Sequence, residues 1–180
     1  MMRVKQGESM TRGFIAGVLF VVGVGLICAY AGIRSGVLPA NADEKPSKLE
    51  AWAAQTSLRA SLARNAPSGD NPLPATDRNV IAGIKLYAQN CAICHGDASA
   101  HRTNVAKGLY QHPPQLAKDG VEDDPDGVTF WKVTHGIRWT GMPAFGKTLT
   151  QDQVWQLTAF LKTMDRLSPA ADRAWHQVKS

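Results

Sequence analysis

The pentad Cys91-Ala92-Ile93-Cys94-His95 constrains this chain more than any other stretch. Cysteines three apart fall on one side of a helical turn. Each thiol can then add to one vinyl group of the same porphyrin. The next residue, His95, comes round to offer an imidazole nitrogen to the iron as proximal ligand. The pentad therefore reads as the attachment site of one haem c, covalent through Cys91 and Cys94. Two other readings of Cys-x-x-Cys were weighed. Zinc takes four ligands, usually with a second Cys or His pair at similar spacing. The one further cysteine, Cys28, lies far away in an apolar run. A dithiol redox motif wants a strand before it and a βαβ pattern around it, and the sequence has neither.

Net charge is +5 and the sequence pI about 9.3, which raises the question of nucleic acid. The distribution answers it. Residues 76–166 hold ten Lys/Arg against nine Asp/Glu, and the positive excess sits earlier, at Arg3, Lys5, Arg12, Arg34, Arg59 and Arg64. No basic stripe with interleaved aromatics occurs, so nucleic acid is not an expected partner.

From Gly13 to Ile33 the chain carries no charge. That length crosses a hydrocarbon core of roughly 30 Å at about 1.5 Å per residue. Residues 1–12 carry Arg3, Lys5 and Arg12 against Glu8. The positive flank puts 1–12 in the cytoplasm and the rest of the chain outside it. In a bacterium the expected location is the inner membrane, with the larger part on the periplasmic side. Residues 13–33 read as a transmembrane anchor or, alternatively, as a signal sequence. Ala29-Tyr30-Ala31 and Ala40-Asn41-Ala42 both resemble cleavage sites, but the apolar run is longer than a usual signal core. Ile27 before Cys28 argues against a lipid-modified terminus.

Residues 34–75 read as a linker containing a helix at 48–64, where alanine is frequent and Pro and Gly are absent. Leu49, Trp52 and Ala53 share one face of that helix, and Leu58 and Leu62 share another stretch of the same face. Two roles follow for it, docking on the haem domain or standing as a spacer above the membrane. Thr76-Asp77 predicts the start of a helix through Val80, Ile81, Ile84 and Tyr87 that leads into the pentad. Residues 96–125 read as loop, with a bound group to wrap around. Asp126 is the expected cap of a short helix ending at Gly136. Thr150 with Gln153 predicts a capping box opening a last helix through Val154, Leu157, Phe160, Leu161 and Met164. Residues 167–180 read as a polar C-terminal tail with a little helical potential. Every periodic segment has helical period, so the expected fold is all-α. Three main helices make a thin core. Trp131, Phe145, Trp155 and Phe160 are expected around the haem, and Gly83 and Tyr87 to let the first helix cross the last closely.

Taken together, residues 76–166 resemble a class I c-type cytochrome. The shared features are Gly83-x-x-x-Tyr87, the pentad, Pro114-Gln115-Leu116, and Met142-Pro143 before the last helix. The stretch Gly-Met-Pro-Ala-Phe-Gly at 141–146 is similar to that of small membrane-anchored monohaem cytochromes. The resemblance implies a class I cytochrome c-like haem domain behind an N-terminal transmembrane helix. It implies His95 as proximal and Met142 as distal iron ligand, and the Pro114 carbonyl as hydrogen-bond partner of the other His95 nitrogen. Trp139 or Arg138 would bond a propionate. His101, His112 and His135 are the alternative distal ligands, and the loop 98–107 departs from the glycine-rich family pattern.

With both axial positions filled, the implied function is outer-sphere electron transfer rather than catalysis. The expected partners are a dehydrogenase or quinol-oxidising complex on one side and a terminal oxidase or other acceptor on the other. A peroxidase-like enzyme or gas sensor with a labile Met142 is the alternative from another class. A fixed subunit of a larger oxidoreductase is a third reading. Retention of the anchor predicts that mass spectrometry of the native protein finds peptides N-terminal to Ala42. A mature terminus at Gly32 or Asp43 would identify residues 13–33 as a cleaved signal.

Overall fold

The computed structural model describes residues 3–37 and 39–180, with side chains from Met10 onward. Of the segment expected in the cytoplasm, Met1 and Met2 lie outside the described residues, as does Leu38 of the following linker. The chain divides into two compact units, Met1–Asn41 and Ala42–Ser180.

The first unit is built on one helix, α1 (Arg3–Arg34), which runs back through polar residues that the sequence separated from the apolar run. Its stretch Met10–Arg34 is long and apolar enough to cross a membrane, and none of it is buried. Phe14, Leu19, Phe20, Leu26 and Ile27 are all exposed. A helix that is apolar on every side has no polar face to turn to water.

The second unit is helical throughout, with no strand among the described residues. It contains α2 (Lys48–Asn65), α3 (Asp77–Asn90), α4 (Ala92–His95), α5 (Asn104–Gly108), α6 (Asp126–His135), a 3-10 turn at Phe145–Lys147, α7 (Gln151–Thr163) and α8 (Pro169–Trp175). α3 begins where Thr76 accepts a hydrogen bond from the Asn79 N–H. α7 begins with the predicted box: the Thr150 hydroxyl accepts from the Gln153 N–H, and the Gln153 side chain accepts from the Thr150 N–H. Two of the four N–H groups left open at that helix start are thereby satisfied.

α3 and α7 cross at Gly83. A Cβ there would run into the Gln156 carbonyl oxygen and lie 2.9 Å from the Phe160 Cβ. One turn on, Tyr87 is wholly buried and meets Phe160 edge-on, with ring centroids 5.4 Å apart. Trp175 closes a three-ring cluster at 5.3 Å from Tyr87 and 5.1 Å from Phe160. Trp175 belongs to the segment that reads as a polar tail. Residues 169–175 instead form α8, capped by Ser168, and Ala171, Trp175 and Val178 are buried. Only a few apolar side chains in that stretch suffice, because their partners are already assembled on α3 and α7.

Residues 66–75 are docked rather than free. The Asn71 N–H donates to Asp126 Oδ2 at 2.9 Å, and its side-chain amide donates to the Trp155 carbonyl at 2.8 Å. Asp126 is thus not the cap of α6. It lies in the first turn, with Pro125 at the cap position. Within the stretch read as loop, α5 forms under a Thr103 cap. The acidic run is pinned by Lys162, whose ammonium donates to the carbonyls of Val121, Glu122 and Asp124, and by the Lys132–Asp124 ion pair at 2.7 Å.

Because Trp175 fills the back of the core, Trp175→Ala should cost about 3–5 kcal/mol of unfolding free energy. Denaturant titration of the full-length protein checks this, and an unchanged midpoint would return the segment to the status of a tail.

Candidate functional site

α3 ends at Asn90, and its cap residue is Cys91. The short helix α4 then carries Cys94 and His95 round one turn, with the N–H groups of Cys94 and His95 both donating to the Cys91 carbonyl, at 3.0 and 2.9 Å. Gly96 ends the turn at φ +79°, a conformation that L side chains rarely adopt. Its carbonyl accepts a 2.8 Å hydrogen bond from the Tyr87 hydroxyl. That bond satisfies the one polar atom of the buried ring and ties the end of the pentad to the helix crossing.

A cavity of about 290 Å³ opens beside this turn. Cys91, Cys94 and His95 stand on its wall together with Tyr87, Leu116, Val133, Phe145 and Leu161. Pro113, Pro114 and His112 come from the loop before α6, and Ile137, Thr140, Gly141, Met142 and Pro143 from the loop after it. The aromatic lining is therefore Tyr87 and Phe145. Phe160 is buried behind Tyr87, and Trp155 stacks on Phe130 at 4.0 Å, away from the cavity wall. Trp131 leans on His135 at 4.9 Å instead. Helical spacing gave these rings a buried face but not which cavity or core that face meets.

The imidazole is oriented by its backbone partner. His95 Nδ1 lies 2.9 Å from the Pro114 carbonyl oxygen. As donor to that carbonyl, Nδ1 carries the proton and Nε2 presents its lone pair. Burial lowers the His95 pKa, against the Pro114 bond that raises it, so the neutral ring is the favoured form. Burial pushes the Cys91 thiol up to about 12, with the nearby Cys94 sulfur adding to the effect, and burial raises Cys94 too. Thiols held protonated are slow redox nucleophiles. Among the described residues, no group of three or more His, Cys, Asp or Glu side chains gathers to hold a metal ion. The zinc and dithiol readings thus find no support in the geometry.

The loop after α6 is a closed turn. The Thr140 hydroxyl donates to the Ile137 carbonyl at 2.7 Å and accepts from the Met142 N–H at 3.1 Å. The Ile137 N–H donates to the Met142 carbonyl at 3.3 Å. Gly136, at φ +65°, makes room for this return, since a Cβ there would meet the Met142 carbonyl and the Pro143 backbone. The glycine required for conformation is therefore Gly136. At Gly141 a Cβ would meet only the end of the Leu109 side chain, at 2.8 Å, which can move aside. Trp139 sits at the apex with φ +64° and 84% exposure, and Arg138 is exposed beside it.

Of the four candidate distal ligands, Met142 and His112 line the cavity, whereas His101 and His135 do not. His112 is two residues from Pro114, and its Nδ1 is 3.0 Å from the Ala106 carbonyl. It belongs to the loop that orients His95. Met142 comes from a separate segment. Sequence reasoning missed Leu58 of α2, which also lines the cavity, and Thr140, which holds the Met142 backbone. The apolar pair Leu58 and Leu62 was the available signal for the first.

Two thiols, an imidazole whose Nδ1 is turned to Pro114, a thioether and a predominantly apolar wall fit a planar macrocycle carrying an iron ion. The family comparison agrees. Residues 78–161 match the sequence family described as cytochrome c oxidase, cbb3-type, subunit III. No curated protein sequence matches the chain. Among solved structures, a chain of the reducing HAO-like protein complex of Kuenenia stuttgartiensis is similar at 25% identity and a TM-score of 0.43, covering 58% of this chain and 53% of its own length. This chain thus spans about half of that one. Residues 78–161 belong to the c-type cytochromes, and the chemistry of this domain is haem-based electron transfer.

Proposed function

We propose that the protein is a membrane-tethered electron carrier with one haem c. The observation that carries this reading is the convergence on one cavity of Cys91, Cys94 and His95 with Met142, from segments on either side of α6. Cys91 and Cys94 would fix the group covalently, each thiol giving its hydrogen and its sulfur to one vinyl group. His95 would hold the iron through Nε2, its ring oriented by the Pro114 carbonyl. Met142 would hold the iron with a soft and neutral thioether. When bound, haem supplies reversible one-electron exchange between Fe(II) and Fe(III), and His/Met ligation raises its potential. The largely apolar wall would limit water at the site. With His95 and Met142 both holding the iron, no position would be left for substrate, which favours a carrier over a peroxidase or gas sensor.

Residues 13–33 are the anchor in this reading, residues 76–166 the haem domain, and the inner membrane the location, with the haem on the periplasmic side. A tether raises the effective concentration of carrier and partner, provided the connecting segment spans the gap. A dehydrogenase or quinol-oxidising complex would donate, and a terminal oxidase or other acceptor would receive. The family match favours a second form of the same chemistry, a fixed subunit of a larger oxidoreductase. Co-purification of stoichiometric partners in mild detergent separates the fixed subunit from the free shuttle.

Covalent attachment predicts a haem-stained band for the wild type on a denaturing gel and none for Cys91→Ala with Cys94→Ala. Staining that survives the double change would refute it. Met142 ligation predicts that Met142→Ala lowers the reduction potential and lets the reduced protein bind carbon monoxide, while His112→Ala does neither. A wild type that already binds carbon monoxide quickly, with a spectrum unmoved by Met142→Ala, would reject Met142 as ligand.

A further inference from the structure

Leu58 lies outside the residues shared with the cytochrome family, yet it forms part of the wall of the cavity that holds Cys91, Cys94, His95 and Met142. It stands on α2 in one stripe with Ala51 and Leu62, all half-buried, while Leu49 and Trp52 on the other side are exposed. The helix is held in this pose at both ends. Near its start, the Tyr110 hydroxyl donates a 2.6 Å hydrogen bond to Glu50 Oε1. Tyr110 is flanked by Leu109 and Gln111, both on the cavity wall. Just past its end, the Pro67 carbonyl lies so close to Gly127 that a Cβ on that glycine would run into it. Asn71 then bonds Asp126 and the Trp155 carbonyl. Such anchoring is unlike a spacer left to swing above a membrane.

A cover at this place has an electrostatic consequence. Oxidised haem iron carries one more positive charge than reduced iron. An environment that keeps out water and offers no dipole therefore disfavours the oxidised form and raises the potential. We propose that α2 is a fixed apolar cover of the haem cleft and that Leu58 is the positioning residue that keeps water from the haem and holds its reduction potential up. This rests on the haem reading above. It assigns to a segment outside the family domain a part in setting the driving force for electron transfer.

The test is redox titration of the full-length, haem-loaded protein in detergent. Leu58→Gln replaces the side chain by one of comparable volume that brings a dipole and water to the wall. Its midpoint potential should fall, with the Met142 charge-transfer band retained. Gly127→Ala should also lower the potential, by lifting the Pro67 segment without altering a cavity residue. Leu49→Gln, on the outer face of the same helix, should leave it at the wild-type value. Wild-type potentials in both Leu58→Gln and Gly127→Ala would overturn the proposal. So would a fall in Leu49→Gln as large as that in Leu58→Gln, or a fall in Leu58→Gln accompanied by loss of the Met142 band, which would mean a displaced ligand. Absence of haem staining in the wild type would instead remove the haem reading, and this inference with it, before any potential was measured.

Discussion

The crossing of α3 and α7 at Gly83 governs the geometry of the haem domain. With a side chain at that position the two backbones would have to part, because the Gln156 carbonyl already occupies the space. The close approach brings Tyr87 onto Phe160 and Trp175, where each edge-on pair adds about 0.5–1.5 kcal/mol beyond its burial. Cys91 follows directly from the end of α3, so the place of the pentad is inherited from the crossing. The Tyr87 hydroxyl extends this control to Gly96, the residue after His95. Helix packing, the turn of the pentad and the setting of the imidazole are thus links of one chain of contacts.

The facing wall is built differently. Met142 stands on no helix; its position comes from a turn closed by Thr140 and Ile137 and by the return that Gly136 permits. The left-handed conformation of Trp139 shows the tightness of that turn, since a bulky residue rarely adopts it without surrounding constraint. One wall is rigid through packing and the other through local hydrogen bonding. The cavity lies where they face each other across α6.

A domain this small has few residues to enclose a large prosthetic group. The segments outside the family match supply some of the missing wall. α8 backs the core with Trp175, and residues 66–75 pin α2 against the domain through Asn71. Lys162 and Lys132 secure the acidic loop, where an unpinned run of like charges would repel itself. Each addition is modest, but together they fix the core and the loops from which the cleft is built.

Much of the local structure was legible in the residues. The spacing of Cys91, Cys94 and His95, the Thr76 cap, the Thr150–Gln153 box and the 3.6-residue periodicity of α3 and α7 depend on near neighbours, and each is found as read. The close crossing at Gly83 was legible for the same reason, as the absence of a side chain is a local fact. What depended on distant partners was not. Leu49, Trp52, Leu58 and Leu62 read as one face of α2, but only Leu58 and Leu62 are half-buried, and the cavity meets Leu58 while Leu49 and Trp52 stay exposed. Asp126 resembled a cap until Asn71 claimed its carboxylate. Residues 167–180 looked like a tail because burial of Trp175 is driven by rings that lie on α3 and α7. A sequence determines hydrogen bonds and periodicities within a few residues of themselves. Which apolar face is buried, and against what, is decided only when the whole chain competes for the same core.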